Sequence, residues 1–231
     1  METKLSKRLA AVASYVPENS RLADVGSDHA YLPLFLVENQ IVDFAVAGEV
    51  VQGPYQSALH NVVHAGKQEQ IQVRLANGLE AISPLDRIDT ITISGMGGRL
   101  IADILEAGLD KLATVKRLVL QPNNREDELR EWLEEHHFQI VAEEMVTENQ
   151  KFYEILVVEA GDMKLSPLEK RFGPYLMKEK SADFLAKWQA ELRKLTQSLD
   201  KIPAEHQDDI RLLQEKQTAI KEVLDASSTT H

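Results

Sequence analysis

The sequence predicts an α/β protein in which a doubly wound sheet, parallel except for its final strand, is followed by a helical hairpin. Three observations support this fold class. Short apolar runs alternate with helical spacings through most of the chain, which is typical of βαβ units. The last two apolar runs follow each other without a helix and predict an antiparallel hairpin. Beyond Gly161 the spacing is helical, so we expect two domains, residues 1–161 and 162–231.

The elements of the first domain follow from the positions of its apolar residues. An amphipathic pattern predicts a first helix over residues 3–16. Strands are expected at the apolar runs 21–25, 42–47, 70–75, 88–94 and 116–121. Helices between them are predicted at 32–39, 51–65, 97–107 and 124–136. Two further strands, 138–147 and 151–159, are joined by the turn 148–150.

The second domain carries one apolar stripe with a single interruption. Its first half has three- and four-residue spacings at Phe184, Leu185, Trp188, Leu192, Leu195, Leu199 and Ile202. After Pro203 the stripe resumes at Ile210, Leu213, Ile220 and Leu224, with polar Gln217 at an intervening seam position. Two long helices flanking a proline turn predict an antiparallel hairpin or short coiled coil. A lid on the main domain or a dimer contact is the alternative role.

The composition excludes several kinds of site and predicts a protein that does not span a membrane. The chain has no cysteine, which excludes a disulfide framework, thiol catalysis and cysteine zinc sites, and we expect no metal centre. No apolar run approaches the roughly 18 residues that span a bilayer, and the first residues lack an apolar signal core. We therefore expect a cytoplasmic protein without a membrane partner.

Charge is unevenly distributed along the chain. The net charge is −11, yet residues 164–201 contain nine basic and five acidic residues, a local charge of +4. A local basic face can bind nucleic-acid phosphates although the whole chain is acidic. Lys187, Arg193 and Lys194 fall on or beside the exposed side of the stripe, where they would meet phosphates. A charged helical tail that is simply solvated is the alternative interpretation.

The turn after the first strand indicates a nucleoside-containing cofactor. Asp24, Gly26 and Ser27 end that strand, and Glu49 with Val50 ends the second one, about 20 residues later. Glycine permits close approach of the backbone to a ligand, and a carboxylate at the second strand end suits ribose hydroxyls. An ordinary βα turn that needs one glycine is the alternative.

A dinucleotide does not fit this turn. The dinucleotide fingerprint has glycines at its first, third and sixth positions, which here are Gly26, Asp28 and Tyr31. A carboxylate at Asp28 would repel a pyrophosphate. S-adenosylmethionine, which carries ribose, adenine, an ammonium group and a sulfonium, fits the turn better.

Three more strand ends carry polar or glycine-rich sequence. Asn77 and Gly78 follow the third strand, where an Asn can hydrogen-bond an adenine, although the pair is also a common turn. The fourth strand is followed by Gly95, Met96 and Gly97, and the fifth by Asn123 and Asn124. In open α/β sheets, ligands lie outside the carboxyl ends of the strands. We therefore predict cofactor contacts from Asn77, Gly78, Gly95, Met96 and Gly97.

Four segments together resemble a known family. They are Asp-Val-Gly-Ser-Asp-His-Ala-Tyr-Leu-Pro at 24–33, Gly-Met-Gly-Gly at 95–98, Gln-Pro-Asn-Asn at 121–124 and Lys-Phe-Tyr-Glu-Ile at 151–155. The chain resembles the bacterial tRNA (adenine-N1)-methyltransferases that modify adenosine-22, over essentially its whole length. This resemblance implies a class I methyltransferase fold with an inserted final strand, S-adenosylmethionine as cofactor, a tRNA substrate methylated in the D-arm region and a C-terminal coiled-coil extension.

The residues agree with methylation of a ring nitrogen. Enzymes that methylate exocyclic amines commonly carry an Asp/Asn-Pro-Pro-aromatic motif after the fourth strand, where this chain has Ser94-Gly95-Met96-Gly97. Ring N1 already has an in-plane lone pair, so its methylation requires alignment and electrostatics rather than deprotonation. The target adenine must also leave its local stack. Asp28 is a candidate for stabilising the cationic product base.

The other catalytic candidates each have an alternative structural role. His29 would hydrogen-bond the target base, or cap a helix or pack against the cofactor. Asn123 and Asn124 would read the adenine edge through their amides, or cap the helix that follows them. Two other function classes also remain open: a methyltransferase for a small molecule or protein, and a non-catalytic nucleotide-binding scaffold.

Overall fold

The computed structural model describes residues 3–203 and 205–226. The chain divides into two compact units, Met1–Lys164 and Leu165–His231. Within the described ranges, no helix has both the length and the apolar character needed to cross a membrane.

The first unit is built on one seven-stranded sheet with the order β3-β2-β1-β4-β5-β7-β6. The strands are β1 Ser20–Val25, β2 Val42–Glu49, β3 Ile71–Leu75, β4 Thr90–Met96, β5 Arg117–Pro122, β6 Phe138–Glu148 and β7 Lys151–Ala160. Strands β1 to β5 pair in parallel, whereas β7 lies between β5 and β6 and is antiparallel to both. The doubly wound sheet and its inserted final strand are therefore confirmed.

Six helices accompany this sheet in the described part of the first unit. They are α1 Lys7–Ser14, α2 Tyr31–Glu38, α3 Gln52–His64, α4 Gly98–Ala107, α5 Leu109–Leu112 and α6 Glu126–Glu135. Two short 3₁₀ turns, Gly78–Ala81 and Pro84–Asp86, and helix α5 were not predicted. Helix α1 is shorter than the predicted 3–16 because the Ser6 hydroxyl caps it by accepting a hydrogen bond from the Leu9 N–H at 3.2 Å.

Helices cover both faces of the sheet. Residues of α1, α2 and α3, such as Val12, Leu36 and Ala58, form one buried cluster with strand residues that include Leu22 and Val119. Alternate residues on those strands point to the other face. Helices α4 and α6 contribute a separate set of buried residues: Ile101, Leu105, Leu129 and Leu133. The carboxyl ends of the parallel strands are thereby left at one edge, framed by loops.

A buried ion cluster joins α6 to the final hairpin. The Arg130 guanidinium donates to Glu143 Oε1 through Nε at 2.9 Å and Nη2 at 2.7 Å, and to Glu154 Oε2 at 2.5 Å. The side chains of all three residues are almost completely buried. Burial alone would disfavour the charged guanidinium, but Glu154 and Glu143 raise the pKa of Arg130 above its ordinary value.

The second unit contains the predicted helical hairpin. Its helices are α7 Pro167–Phe172, α8 Leu176–Glu179, α9 Ala182–Leu199 and α10 Gln207–Asp225, of which α7 and α8 were not predicted. Helices α9 and α10 run antiparallel: the Lys180 ammonium bonds the Ala226 carbonyl at one end, and Gln217 Nε2 donates to Thr196 Oγ1 at 2.8 Å further along. Gln217, the polar seam residue, thus links the two helices.

Candidate functional site

The loop after β1 turns sharply at Gly26. This residue has φ +70°, and the N–H groups of Gly26 and Ser27 donate to the Gly48 carbonyl at 2.9 and 3.2 Å. A Cβ placed on Gly26 would lie 2.2 Å from the Met96 Cε. The end of β1 is therefore packed closely against the Met96 side chain at the end of β4, and the left-handed conformation of this position favours glycine.

Asp24 lies beneath this loop and organises it. Its side chain is buried, and its two oxygens accept hydrogen bonds from Ser27 Oγ at 2.6 Å and Thr92 Oγ1 at 2.7 Å. Burial raises the pKa of the Asp24 carboxyl, while these two hydroxyls oppose the rise. Each of its oxygens thus already has a partner that holds the loop in place.

Three consecutive residues of the loop adopt left-handed backbone conformations. The φ values of Asp28, His29 and Ala30 are +41°, +67° and +58°. Each such residue costs about 1–2 kcal/mol, so the surrounding structure must hold it. Glu49 Oε1 accepts from the Asp28 N–H at 2.5 Å, and Asn61 Nδ2 donates to the His29 carbonyl at 3.0 Å. Asn61 was not among the predicted site residues.

Glu49 therefore connects the loop with the end of β2. Its side chain is buried, and in the described part of the chain Oε2 has no hydrogen-bond partner. Burial raises the pKa of the Glu49 carboxyl, and the nearby Asp24 and Asp28 carboxylates raise it further. One oxygen supports the loop, and the other remains available to a ribose hydroxyl.

Half of the predicted cofactor residues line one small cavity at this edge. The cavity has a volume of about 110 Å³, and its lining includes Gly26, Val50, Asn77, Gly78 and Met96. Ligand pockets typically measure about 300–1,000 Å³, so the cavity suits one heterocycle rather than a whole cofactor. Leu100 and Ile104 of α4 complete its apolar wall, and sequence reasoning missed them because their spacing is that of an ordinary amphipathic helix.

The loops after β4 and β5 are tied together by hydrogen bonds. The Asn123 N–H donates to the Met96 carbonyl at 2.7 Å, and the Gly98 N–H donates to the Asn124 carbonyl at 2.8 Å. The Asn123 side chain adds a bond from Nδ2 to the Gly95 carbonyl at 2.7 Å. The predicted residues Gly95, Asn123 and Asn124 are thereby brought together in one two-loop surface.

Gly97 and Gly98 differ in how tightly they meet the second loop. A Cβ on Gly97 would lie 2.9 Å from Asn124 Oδ1, the end of a side chain. A Cβ on Gly98 would lie 2.2 Å from the Arg125 carbonyl oxygen, a backbone atom. Gly98, which was not among the predicted site residues, is therefore the position where a side chain does not fit.

Two of the structural alternatives for the catalytic candidates are wrong. Helix α6 begins at Glu126 rather than at the predicted 124, because Arg125 adopts a left-handed conformation with φ +53°. Neither Asn123 nor Asn124 occupies its capping position, which belongs to Arg125. In the same way, Ala30 rather than His29 is the cap residue of α2.

The side chains of Asp28, His29 and Tyr31 are exposed to solvent. His29 Nε2 lies 3.5 Å from Asp28 Oδ1, and the relative exposures of these side chains are 42% and 82%. The His29 ring stacks on Tyr31 with a centroid distance of 5.4 Å, and Tyr31 is itself 43% exposed. These groups are accessible to a large substrate such as a nucleic acid.

Arg8, which was not among the predicted site residues, contacts Gln121 at the end of β5 and Tyr153 of β7. From α1, its Nη1 donates to Gln121 Oε1 at 2.6 Å, and its guanidinium lies 5.5 Å from the centre of the Tyr153 ring. The amphipathic pattern of α1 carries no signal for this contact, because Arg8 occupies an ordinary polar position of the helix.

The predicted nucleic-acid contacts lie on α9 of the second unit. Arg193 and Lys194 are exposed, and Lys194 Nζ lies 3.7 Å from Glu191 Oε2. Lys187 is half-buried, with its ammonium 5.1 Å from the Trp188 ring centre. Across residues 3–203 and 205–226, no group of three or more His, Cys, Asp or Glu side chains is arranged to hold a metal ion.

Comparison with known proteins identifies the family. A family model described as TrmK, tRNA (adenine(22)-N(1))-methyltransferase, matches residues 22–224. The chain is 42% identical over 235 residues to the tRNA (adenine(22)-N(1))-methyltransferase of Bacillus subtilis strain 168, covering 97% of this chain and 98% of that protein.

Two solved structures hold cofactor molecules. A Streptococcus pneumoniae protein in complex with S-adenosyl-L-methionine is 59% identical, with a TM-score of 0.91 over 96% of this chain and 100% of that chain. M. capricolum TrmK in complex with S-adenosyl-homocysteine is 29% identical, with a TM-score of 0.86 over 96% of this chain and 98% of that chain. The chain therefore belongs to the TrmK family of tRNA (adenine(22)-N(1))-methyltransferases.

Proposed function

We propose that this chain transfers the methyl group of S-adenosylmethionine to N1 of adenosine-22 in tRNA, at the carboxyl edge of its sheet. One observation carries the assignment of the site: Gly26, Val50, Asn77, Gly78 and Met96, from four different strand ends, line one cavity. The named B. subtilis relative has this activity, and the S. pneumoniae and M. capricolum relatives bind the cofactor and its product.

The residues present fit S-adenosylmethionine. The apolar cavity suits the adenine ring, and Asn77 at its rim supplies an amide for the ring edge. Glu49 has one oxygen available for the ribose hydroxyls. The carboxylate of Asp28, which would repel a pyrophosphate, is compatible with a cofactor that carries positive charge.

The protein acts by alignment and electrostatics. When bound, S-adenosylmethionine supplies an electrophilic methyl group, and its positive charge ends on the methylated adenine. N1 attacks with its own lone pair, so no side chain has to remove a proton. We propose that Asn123 and Asn124 hold the adenine edge, that Asp28 offsets the charge developing on the ring, and that His29 contacts the base.

The activity test uses unmodified tRNA. Labelled S-adenosylmethionine, purified protein and transcribed tRNA should yield 1-methyladenosine on nucleoside analysis. A tRNA in which adenosine-22 is replaced by uridine serves as the matched control and should remain unlabelled. Equal labelling of both tRNAs would refute the target position, and labelling of neither would refute the function.

Glu49 provides a direct test of the cofactor site. Glu49→Ala removes a charge-assisted ribose contact and should weaken S-adenosylhomocysteine binding by about 1.5–3 kcal/mol in calorimetric titration. Asp43→Ala, an exposed carboxylate at the other end of β2, is the matched control and should leave the affinity unchanged. Unchanged affinity in Glu49→Ala would remove Glu49 from the ribose site.

We further propose that the catalytic domain spans 1–161 and that the helical extension 162–231 binds tRNA through its basic first half. The local charge of +4 over residues 164–201 and the exposure of Arg193 and Lys194 support this role. A tRNA substrate also implies a cytoplasmic location for the enzyme.

Salt dependence tests the tRNA contact. Replacing Lys187, Arg193 and Lys194 together by Ala should weaken tRNA binding and flatten its dependence on salt. The variant forms fewer phosphate contacts, so fewer counterions are released when tRNA binds. The control is a triple Ala variant of the exposed cations of α10: Arg211, Lys216 and Lys221. If the α9 variant retains the wild-type slope and affinity with its circular dichroism intact, these residues do not contact tRNA.

A further inference from the structure

The side-chain amide of Gln121 is held in one orientation by its surroundings. Gln121 is fully buried at the end of β5. Its Oε1 accepts two hydrogen bonds, from Arg8 Nη1 at 2.6 Å and from the Gly95 N–H at 3.0 Å. Its Nε2 donates to the Pro122 carbonyl at 2.8 Å and to Asn123 Oδ1 at 3.1 Å. The bond from Arg8 is charge-assisted and is therefore the strongest of the four.

Gln121 and the Gly95 carbonyl together fix the orientation of the Asn123 amide. Asn123 Oδ1 accepts from Gln121 Nε2 at 3.1 Å, and Asn123 Nδ2 donates to the Gly95 carbonyl at 2.7 Å. An amide has two N–H donors and two acceptor lone pairs, so one of each remains on the exposed Asn123. A donor and an acceptor side by side match N7 and the N6 amino group of adenine, an edge that leaves the N1 lone pair free to accept the methyl group.

We propose that Arg8 and Gln121 are positioning residues that orient the Asn123 amide toward the target adenine. The inference rests on the proposed function, which places Asn123 at that base. We call these three hydrogen-bonded residues the relay. Arg8 on α1 bonds to Gln121, and Gln121, which does not reach the substrate, bonds to Asn123. Asn123 is exposed at the surface of the two loops, where it contacts the adenine.

The variant Gln121→Glu tests whether Gln121 orients Asn123 for catalysis or contributes only to the stability of the fold. A carboxylate at position 121 still accepts from Arg8 and Gly95, and the Arg8 contact becomes an ion pair. It cannot donate, however, so an oxygen would face Asn123 Oδ1 and the Pro122 carbonyl. If the contact between Arg8 and Gln121 mattered only for stability, this variant would remain active. The relay instead predicts that kcat falls about 100-fold, as expected for a misplaced reacting group.

Two changes at Arg8 test the other end of the relay. Arg8→Met removes the anchor and should lower kcat about 10-fold, whereas Arg8→Lys keeps a cationic donor and should recover most of it. The KM for tRNA and the affinity for S-adenosylhomocysteine should change less than about threefold in all variants, because the relay acts on orientation. Arg87→Met, an exposed arginine between β3 and β4, is the control and should match the wild type.

Side-chain amide exchange gives a readout that does not depend on turnover. In NMR spectra of the wild type, the side-chain amide protons of the buried Gln121 should exchange slowly with solvent, and Arg8→Met should accelerate their exchange. If wild-type protein methylates tRNA while Gln121→Glu and Arg8→Met retain full kcat, the relay is refuted. An inactive wild type whose amide protons respond to Arg8→Met would refute the proposed function, and with it the placement of Asn123 at the target base, but not the hydrogen bonds that link Arg8, Gln121 and Asn123. If Gln121→Glu unfolds below the assay temperature, the comparison of Arg8→Met with Arg8→Lys tests the relay instead.

Discussion

Replacing Arg130 by Met is expected to lower the free energy of unfolding by about 3–5 kcal/mol. The change leaves Glu143 and Glu154 buried on adjacent strands without the guanidinium that bonds both of them. Buried carboxylates that lose this guanidinium are costly, because a charge in an apolar interior is strongly disfavoured when its opposite charge is removed. Urea unfolding followed by circular dichroism measures the loss.

The control for this prediction is an exposed ion pair in the same unit. Lys116 Nζ lies 3.5 Å from Asp89 Oδ2, and the Lys116 side chain is 81% exposed. Lys116→Met should change the stability by less than about 1 kcal/mol, because solvent screens such pairs. A loss in Arg130→Met no larger than that in Lys116→Met would mean that the buried cluster contributes nothing specific.

Adding one methyl group at Gly98 is expected to reduce methyl transfer by about 100-fold, because displacement of reacting groups by roughly 1 Å has effects of this size. The new Cβ of Gly98→Ala would lie 2.2 Å from the Arg125 carbonyl oxygen, so the loop after β5 must move away. That loop carries Asn123 and Asn124. Initial rates with labelled S-adenosylmethionine and unmodified tRNA measure the effect.

Gly97→Ala is the matched control for Gly98→Ala. Its Cβ meets Asn124 Oδ1, which can rotate away, so a smaller loss of activity is expected. The bulkier Gly97→Val should obstruct the loop and abolish most turnover. Thermal melting of each variant confirms that the fold persists. Equal turnover of Gly98→Ala and the wild type would show that the spacing of the two loops does not govern transfer.

Most of the sheet could be predicted because its signals are local. Each parallel strand is a short apolar run, and the structure places β1 to β5 within two residues of the predicted bounds. The position of β7 between β5 and β6 is a non-local pairing, which no periodicity contains. It followed from the family resemblance instead. The hairpin α9–α10 was predictable because its apolar stripe is long and Pro203 interrupts it once.

The sequence predicts which strand ends form the site, but it does not predict the hydrogen bonds between the side chains there. Gly26, Asn77 and Met96 come together because parallel strands end at one edge. Sequence alone does not indicate that Asp24 bonds Ser27 and Thr92, or that Asp28 to Ala30 are left-handed. Sequence alone also does not indicate that Arg130, Glu143 and Glu154 are buried, since charged side chains are rarely fully buried.

The contact between Arg8 and Gln121 has a consequence for the order in which the protein matures. These residues are 113 positions apart, and Arg8 also lies over Tyr153 on the last strand to be synthesised in the sheet. Long-range contacts form late because their loop-closure entropy must be met first. During synthesis, Arg8 of α1 therefore cannot complete its contacts until β7 has been made and has paired between β5 and β6. The full set of Arg8 contacts, with Gln121 and with Tyr153, can therefore exist only after β7 has been synthesised.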